Sequence, residues 1–208
     1  MADAGRVIAG IAGGRRLAAP GEGTRPLADR VKQALFAILE PDLPAAVVLD
    51  AFAGSGAAGI EALSRGAGAV TFVERDERAV RTIAANLRTT GLGGPAAVVV
   101  RADVLAWLGA VGATAGSFDI VVVDPPYADV EGLAAVLAAL GHPGAPLRPG
   151  ARVVAKHFWR DRPADRFGLL ASDRERRFGE TALTFYRRSE EVGGATRGSR
   201  SIQARSTR

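Results

Sequence analysis

From Ala45 onward the chain alternates short β-rich apolar runs with Ala/Leu-rich segments of helical length, a pattern that few folds accept. Continuous apolar strands, such as the VVV that precedes Asp124, are typical of a parallel sheet covered by helices on both faces. The sequence therefore predicts an α/β fold with a doubly wound, mostly parallel seven-stranded sheet of the Rossmann-like class. The first five predicted strands lie in residues 45–52, 69–74, 96–102, 118–124 and 151–159.

Both ends of the chain depart from this alternation. Residues 168–179 and 181–188 are strand-like runs joined by a short turn, which predicts a C-terminal antiparallel hairpin. The N-terminal residues predict a small hairpin and an amphipathic helix with Asp29 as its N-cap. We expect a small appendage over residues 1–40, the α/β domain over residues 41–188, and a disordered basic tail over residues 189–208.

Charge is unevenly distributed along the 208 residues, whose net charge is +5. Residues 1–36 carry six basic and three acidic side chains, residues 37–147 carry six and twelve, and residues 148–188 carry eleven and five. An acidic middle between basic flanks is typical of an anion-binding face built from the two ends, as a nucleic-acid partner requires, and equally of a solvated, Arg-rich surface. The candidates for phosphate contact in the appendage are Arg15, Arg16, Arg25, Arg30 and Lys32.

Several classes of protein are excluded by composition. The chain has no cysteine, which excludes a disulfide scaffold, Cys-ligated zinc and thiolate catalysis. Its two histidines, His142 and His157, have no partner at metal-ligand spacing, so we expect no metal. No uncharged stretch reaches the roughly 20 residues of a membrane span, and the first ten residues contain no apolar signal region. We expect a cytoplasmic monomer with no membrane partner.

A glycine-rich loop follows the first predicted strand. Gly54, Gly56 and Gly59 form a GxGxxG pattern between strand and helix, where the backbone can approach a ligand closely. Glu74, at the end of the next strand, can accept both hydroxyls of an adenosine ribose. NAD and S-adenosyl-L-methionine both present that ribose, so these features leave a dehydrogenase and a methyltransferase open. Asp50 favours the second, because a carboxylate there repels a pyrophosphate but suits an α-ammonium group.

The third strand ends at another candidate ligand contact. Asp103 is placed to accept from an adenine amino group, with the backbone N–H of Val104 as a donor; alternatively, Asp103 caps the following helix. The predicted cofactor site comprises Asp50, Phe52, Gly54, Ser55, Gly56, Glu74, Arg75, Asp103 and Val104.

The fourth strand ends in the tetrapeptide DPPY, Asp124 to Tyr127. Pro125 and Pro126 lack N–H groups, so the loop presents carbonyl oxygens and a carboxylate without competing donors. Such a loop suits an exocyclic amine on a planar base: Asp124 and the Pro125 carbonyl accept the two amine hydrogens, while Tyr127 stacks on the ring. We predict that these four residues form the catalytic site for methyl transfer.

The chain resembles the bacterial RsmD-type family, which methylates N2 of a guanine in small-subunit ribosomal RNA with S-adenosyl-L-methionine. The matching segments are RVIAG, GRRLAAP, RPLADRVKQALFAIL, LDAFAGSGAAGIEALSRGA, VERD, DPPY and FGETALTFYRR, within residues 6–188. The long glycine-loop segment and RPxxDRV are specific to the family, whereas GxGxxG and DPPY are shared with many amine methyltransferases. The resemblance implies that the N-terminal segments help to engage RNA, and that the cofactor and transfer site is lined by Asp50, Gly54, Gly56, Glu74, Asp103 and Asp124.

The chain departs from the family pattern at two places. Leu27 and Ala28 stand where Thr residues are expected, and Lys156 and His157 end the fifth strand where an acidic residue is common. We expect neither pair to touch the transfer chemistry. The resemblance implies a guanine-N2 rRNA methyltransferase whose partner is ribosomal RNA, in free form or within an assembling small subunit. An adenine-N6 DNA methyltransferase and a non-catalytic RNA-binding module are the alternatives.

Overall fold

The computed structural model describes residues 3–21, 28–112 and 118–189. The strands are β1 (Asp3–Arg6), β2 (Arg16–Ala18), β3 (Val47–Ala51), β4 (Ala69–Glu74), β5 (Ala97–Arg101), β6 (Phe118–Val123), β7 (Leu147–Phe158), β8 (Arg166–Phe167), β9 (Leu170–Phe178) and β10 (Thr181–Arg188). The helices are α1 (Asp29–Leu39), α2 (Ala57–Ser64), α3 (Glu77–Thr90), α4 (Val104–Val111) and α5 (Val130–Gly141), and a short 3-10 turn spans Glu40–Asp42.

The main sheet has the strand order β5-β4-β3-β6-β7-β10-β9-β8. Strands β3 to β7 pair in parallel, whereas β10 pairs antiparallel with both β7 and β9. The predicted Rossmann-like α/β fold and the C-terminal hairpin are thereby confirmed. Strands β4 and β5 are added on one side of β3, and β6 and β7 on the other, so the order of the strands reverses between the parallel neighbours β3 and β6, which pair at Ala51 and Val123. Open α/β sheets bind ligands in the crevice at the carboxyl ends of such strands.

The sheet has one strand more than the seven expected. The extra strand, β8, is a two-residue edge segment that pairs with the start of β9, and two residues are too few to show the alternation of a strand. Strand β7 also begins at Leu147 rather than Ala151. The ladder between β6 and β7 shifts register between Phe118 and Ile120, so a bulged segment that includes Pro149 and Gly150 is part of the strand.

One apolar cluster lies on each face of the sheet. The cluster that contains Phe72 also contains Val7 and Leu17 of the N-terminal hairpin and Phe36 of α1. The hairpin is anchored by Glu61, which is fully buried and accepts hydrogen bonds from the backbone N–H groups of residues 8 and 9 at 2.7 and 3.1 Å. The predicted boundary at residue 40, between the appendage and the α/β domain, stays a prediction. One apolar cluster includes residues from both sides of it.

The predicted N-cap of α1 is wrong. Ala28 occupies the cap position without a side-chain hydrogen bond, and Asp29 is the first helical residue. There its carboxylate lies 3.3 Å from the guanidinium of Arg6, and an acidic side chain in the first turn interacts favourably with the helix dipole. In the described portion of the chain, none of the helices has both the length and the apolar character to cross a bilayer.

Candidate cofactor and transfer site

A cavity of about 410 Å³ opens at the carboxyl ends of β3, β4, β5 and β6. This is within the size range of small-molecule sites in proteins. Its lining combines apolar and acidic groups: Phe52, Gly54, Glu74, Arg75, Asp76, Ala102, Asp103, Val104, Asp124, Pro125, Pro126, Tyr127 and Lys156. The glycine loop and the DPPY loop, 70 residues apart in sequence, therefore face the same space.

The glycine loop has a backbone that ordinary residues rarely adopt. Gly54 and Gly56 have φ angles of 54° and 78°, and Phe52, which is not a glycine, has a φ of 61°. A bulky residue at positive φ is a strained conformation of the kind that recurs at functional sites. Gly59 serves packing instead, because an added Cβ would lie 2.2 Å from the ring of Phe72. The first two glycines shape the loop, and the third lets α2 lie against the sheet.

Glu74 joins the loop to the neighbouring strand. One of its carboxylate oxygens accepts from the N–H of Gly54 at 2.8 Å, and the other accepts from the N–H of Asp76 at 2.8 Å. A carboxylate has about four lone-pair positions, so each oxygen keeps capacity for a further donor. Glu74 is thus held in the orientation in which its remaining lone pairs can accept the hydroxyl groups of a ribose.

Asp103 caps α4 and also borders the cavity. Its side chain accepts from the N–H of Ala106 at 3.0 Å. Val104 is the first residue of that helix and is buried at the cavity wall. The helix cap fixes the carboxylate beside the ligand space.

The DPPY loop is held by side chains from the far end of the chain. Lys156 of β7 forms an ion pair with Asp124, and its Nζ lies 4.9 Å from the centre of the Tyr127 ring. The hydroxyl of Tyr127 is hydrogen-bonded to Thr181 Oγ1 at 2.6 Å, and its ring centre is 6.2 Å from that of Phe158. These contacts fix both the carboxylate and the aromatic ring on one side of the cavity.

Two carboxyl groups near the cavity have raised pKa values. Burial raises the pKa of Asp50 to about 8; the hydrogen bond from Gly59 N–H opposes this shift, and the charges of Asp124 and Glu74 add to it. Burial also raises the pKa of Asp124, and the nearby Lys156 ammonium opposes that shift by charge and by hydrogen bonding. Perturbed carboxyl groups in a cleft are characteristic of functional sites.

The structure brings most of the predicted site residues to the cavity. All four residues of the predicted catalytic set line it, as do six of the predicted cofactor set: Phe52, Gly54, Glu74, Arg75, Asp103 and Val104. The other three are buried: Asp50 lies in β3, and Ser55 and Gly56 lie in the loop itself. Asp50 is 2% exposed and accepts from Gly59 N–H at 2.8 Å, so its visible role is to organise the loop from behind.

Lys156, Asp76 and Ala102 also line the cavity and were not among the predicted site residues. Lys156 stands out among them, because it pairs with Asp124 although we expected it not to touch the transfer chemistry. The register of the two strands sets this pair: Val123 pairs with Ala155, so the next residues, Asp124 and Lys156, lie side by side. His157 points elsewhere and is buried, with Nε2 2.9 Å from Thr184 Oγ1. Within the described segments, no group of three or more His, Asp or Glu side chains is placed to hold a metal ion.

The predicted phosphate contacts of the appendage need one correction. Lys32 is fully buried, and its Nζ donates to the carbonyl oxygen of Arg6 at 2.5 Å, so it is not available to a phosphate. Arg15, Arg16 and Arg30 are exposed, with Arg15 bonded to the Thr89 carbonyl and Arg16 paired with Asp3. Arg25 lies outside the described residues, as does nearly all of the predicted tail.

A second cationic surface is formed where the end of β7 meets β9 of the C-terminal hairpin. The guanidinium carbon of Arg177 lies 3.6 Å from the centre of the Trp159 ring, and that of Arg160 lies 4.9 Å from the same centre. Trp159 directly follows Phe158, whose ring contacts Tyr127 at the cavity. We call Trp159, Arg160 and Arg177 the hairpin cluster.

The chain is similar in sequence and in fold to known proteins. Residues 5–187 match the model of the family described as conserved hypothetical protein 95. YlbH of Bacillus subtilis is 36% identical over 184 residues, which cover 88% of this chain and 98% of YlbH. Ribosomal RNA small subunit methyltransferase D of Haemophilus influenzae is 42% identical over 123 residues, or 59% of this chain and 63% of that protein. The solved structure of Escherichia coli yhhF superposes with a TM-score of 0.76 at 30% identity, covering 88% of this chain and 97% of that one.

Proposed function

The chain belongs to the conserved hypothetical protein 95 family, which is the RsmD-type methyltransferase family, and we propose that it methylates the exocyclic N2 amine of a guanine in 16S ribosomal RNA. It is an rRNA methyltransferase that uses S-adenosyl-L-methionine. The observation that supports the transfer chemistry is the shared cavity, in which the Asp124 carboxylate and Tyr127 ring face the loop of Gly54 and the carboxylate of Glu74.

The residues at the β3, β4 and β5 ends fit the proposed cofactor. Gly54 has no Cβ to fill the space at the loop, Glu74 keeps acceptor capacity for the ribose hydroxyls, and Asp103 with Val104 borders the space proposed for the adenine. When bound, the cofactor supplies a methyl group on a positively charged sulfur. The acidic lining of the cavity suits a cationic ligand of this kind.

The DPPY loop would hold the base. Asp124 and the carbonyl of Pro125 accept the two hydrogens of the amine, which directs the nitrogen lone pair out of the plane of the ring. Tyr127 stacks on the base and its hydrogen bond to Thr181 keeps the ring in place. Catalysis then depends on positioning and electrostatics, because the residues around the base contribute no covalent step.

Ribosomal RNA would contact the cationic side chains of the appendage and of the hairpin cluster. The appendage offers Arg15, Arg16 and Arg30, and the hairpin cluster offers two guanidinium groups stacked on an indole. Phosphate contacts of this kind make log K fall with log salt concentration by about 0.7 to 0.9 per contact. We propose that the protein acts as a monomer on rRNA, free or in an assembling small subunit.

The test is transfer of a labelled methyl group from S-adenosyl-L-methionine to rRNA and, separately, to DNA of a strain that lacks this protein, followed by identification of the modified nucleoside. We expect N2-methylguanosine at one position of 16S rRNA. Label in N6-methyladenosine of DNA would support the adenine alternative and overturn the proposal. Binding of rRNA without transfer to any fraction would support a non-catalytic RNA-binding module.

A further inference from the structure

Lys156 is an unusual side chain for its position. It lies in β7, where residues 153–155 are buried and apolar, and its side chain is only 11% exposed. Burying an ammonium group is costly unless a negative group faces it. The side chain that faces it is Asp124, the carboxylate to which the proposed mechanism gives the target amine.

The surroundings of Asp124 disfavour its charged form. Its side chain is only 20% exposed, and the carboxyl group of Asp50 on the neighbouring β3 is close enough to be affected by the charge of Asp124. Burial raises the pKa of Asp124, and the charge and hydrogen bond of Lys156 from β7 hold it back. A protonated Asp124 would present an O–H donor to an amine that needs an acceptor. The ionised form is therefore the form that the proposed chemistry requires.

We propose that Lys156 is a positioning residue for methyl transfer, which keeps the Asp124 carboxylate ionised and oriented towards the target amine. This inference rests on the proposed function of the DPPY loop. Lys156 Nζ bonds Asp124 Oδ1, and Oδ2 of a carboxylate has two lone pairs of its own for the amine hydrogen. The same ammonium lies against the ring of Tyr127, so one cation fixes both groups that would hold the base.

The experiment compares wild type with Lys156→Met and Lys156→Arg in single-turnover methyl transfer to rRNA between pH 5 and 9. Without the ammonium, Asp124 takes up its proton at a higher pH, so the acid limb of the rate profile should move upward by about one unit for Lys156→Met. On the acid limb the rate should fall by up to about tenfold, the factor that corresponds to one pH unit, with the affinity for S-adenosylhomocysteine within about twofold of wild type. Lys156→Arg should restore the acid limb, since it restores the cation.

Arg148→Met is the matched control. Arg148 also lies on β7 and pairs with an aspartate of β6, Asp119 at 2.9 Å, but this pair is at the opposite end of the strands and outside the cavity. Its removal should leave the acid limb in place. An acid limb that stays at its wild-type position in folded Lys156→Met, or that moves equally in Arg148→Met, would overturn the proposal.

A second readout does not depend on transfer. The ¹³C resonance of the Asp124 carboxyl, assigned by its loss in Asp124→Asn, should titrate at a higher pH in Lys156→Met than in wild type. If Lys156→Met does not fold, Lys156→Gln takes its place in both measurements. Failure of wild type to methylate rRNA would contradict the proposed function alone, whereas an unchanged titration of Asp124 would contradict the role of Lys156 alone.

Discussion

The cavity has two halves, which are built in different ways. We call the part at Gly54 and Glu74 the cofactor half, and the part at the DPPY loop the transfer half. In the cofactor half, carboxylates hold backbone N–H groups: Glu74 holds that of Gly54, 20 residues away, and Asp50 holds that of Gly59, nine residues away. In the transfer half, side chains hold side chains over longer separations, 32 residues from Asp124 to Lys156 and 54 from Tyr127 to Thr181. The cofactor half is thus a local, preorganised structure, and the transfer half depends on side chains of β7 and β10.

If the halves are separate, the largest effect should come from removing Asp124, and it should be confined to transfer. Asp124→Ala removes the acceptor that orients the amine, so single-turnover methyl transfer should fall by about 10²-fold or more. Affinity for S-adenosylhomocysteine, measured by titration calorimetry, should stay near that of wild type. Asp124→Asn keeps one acceptor and adds a donor, so we expect partial activity. Normal transfer by folded Asp124→Ala would contradict the assignment of the transfer half.

The reciprocal change in the cofactor half is Glu74→Ala. It removes the proposed ribose acceptor and also releases the N–H of Gly54, so cofactor affinity should fall by about 1 to 3 kcal/mol, the scale for leaving buried polar groups unpaired. Transfer at saturating cofactor should recover most of the wild-type rate. A loss of rate that saturation does not restore would show that the two halves are coupled through Glu74.

The contrast also explains what the sequence could predict. The βα alternation and the GxGxxG spacing are local patterns, and they predicted the parallel strands and the loop between β3 and α2, with Glu74 and Asp103 at the strand ends that border the cavity. The pair of Lys156 and Asp124 depends on the register of β7 against β6, which a bulge sets, and no local pattern carries it. The error at Lys32 was avoidable. Helical periodicity places Lys32 on the same buried face of α1 as Leu35, Phe36 and Leu39.

Asp50 allows a test of the cofactor half through pH. Burial raises the pKa of Asp50 to about 8, well above its value of about 4 in an unfolded chain. Between these values the folded protein binds more protons than the unfolded chain, so this group makes the folded state less stable as pH rises, by up to about 1.4 kcal/mol per pH unit. In Asp50→Asn, whose amide oxygen can still accept from Gly59, the free energy of unfolding should lose this slope between pH 5 and 8.

Saturating S-adenosylhomocysteine should sharpen the same comparison. If its α-ammonium favours the charged form of Asp50, the wild-type slope should flatten when the ligand is bound, while Asp50→Asn shows no such change. A wild-type slope equal to that of Asp50→Asn, with and without ligand, would show that Asp50 is already ionised in the folded protein.

The smallest effect that we expect tests how the transfer half is attached to the hairpin. Tyr127→Phe keeps the stacking ring but removes the hydroxyl, and Thr181→Val removes the partner of that hydroxyl without altering Tyr127. If the hydroxyl only anchors the ring, each change should cost about 0.5 to 1.5 kcal/mol of transition-state stabilisation, the net value of one hydrogen bond. The double variant should cost no more than either single variant.

Tyr127→Ala loses the ring as well and should cost about 1 to 3 kcal/mol. These values come from single-turnover rates at saturating cofactor. If Tyr127→Phe slows transfer and Thr181→Val does not, the hydroxyl acts on the substrate rather than on Thr181. The ion pair of Lys156 with Asp124 would then be the side-chain contact that holds the transfer half in place.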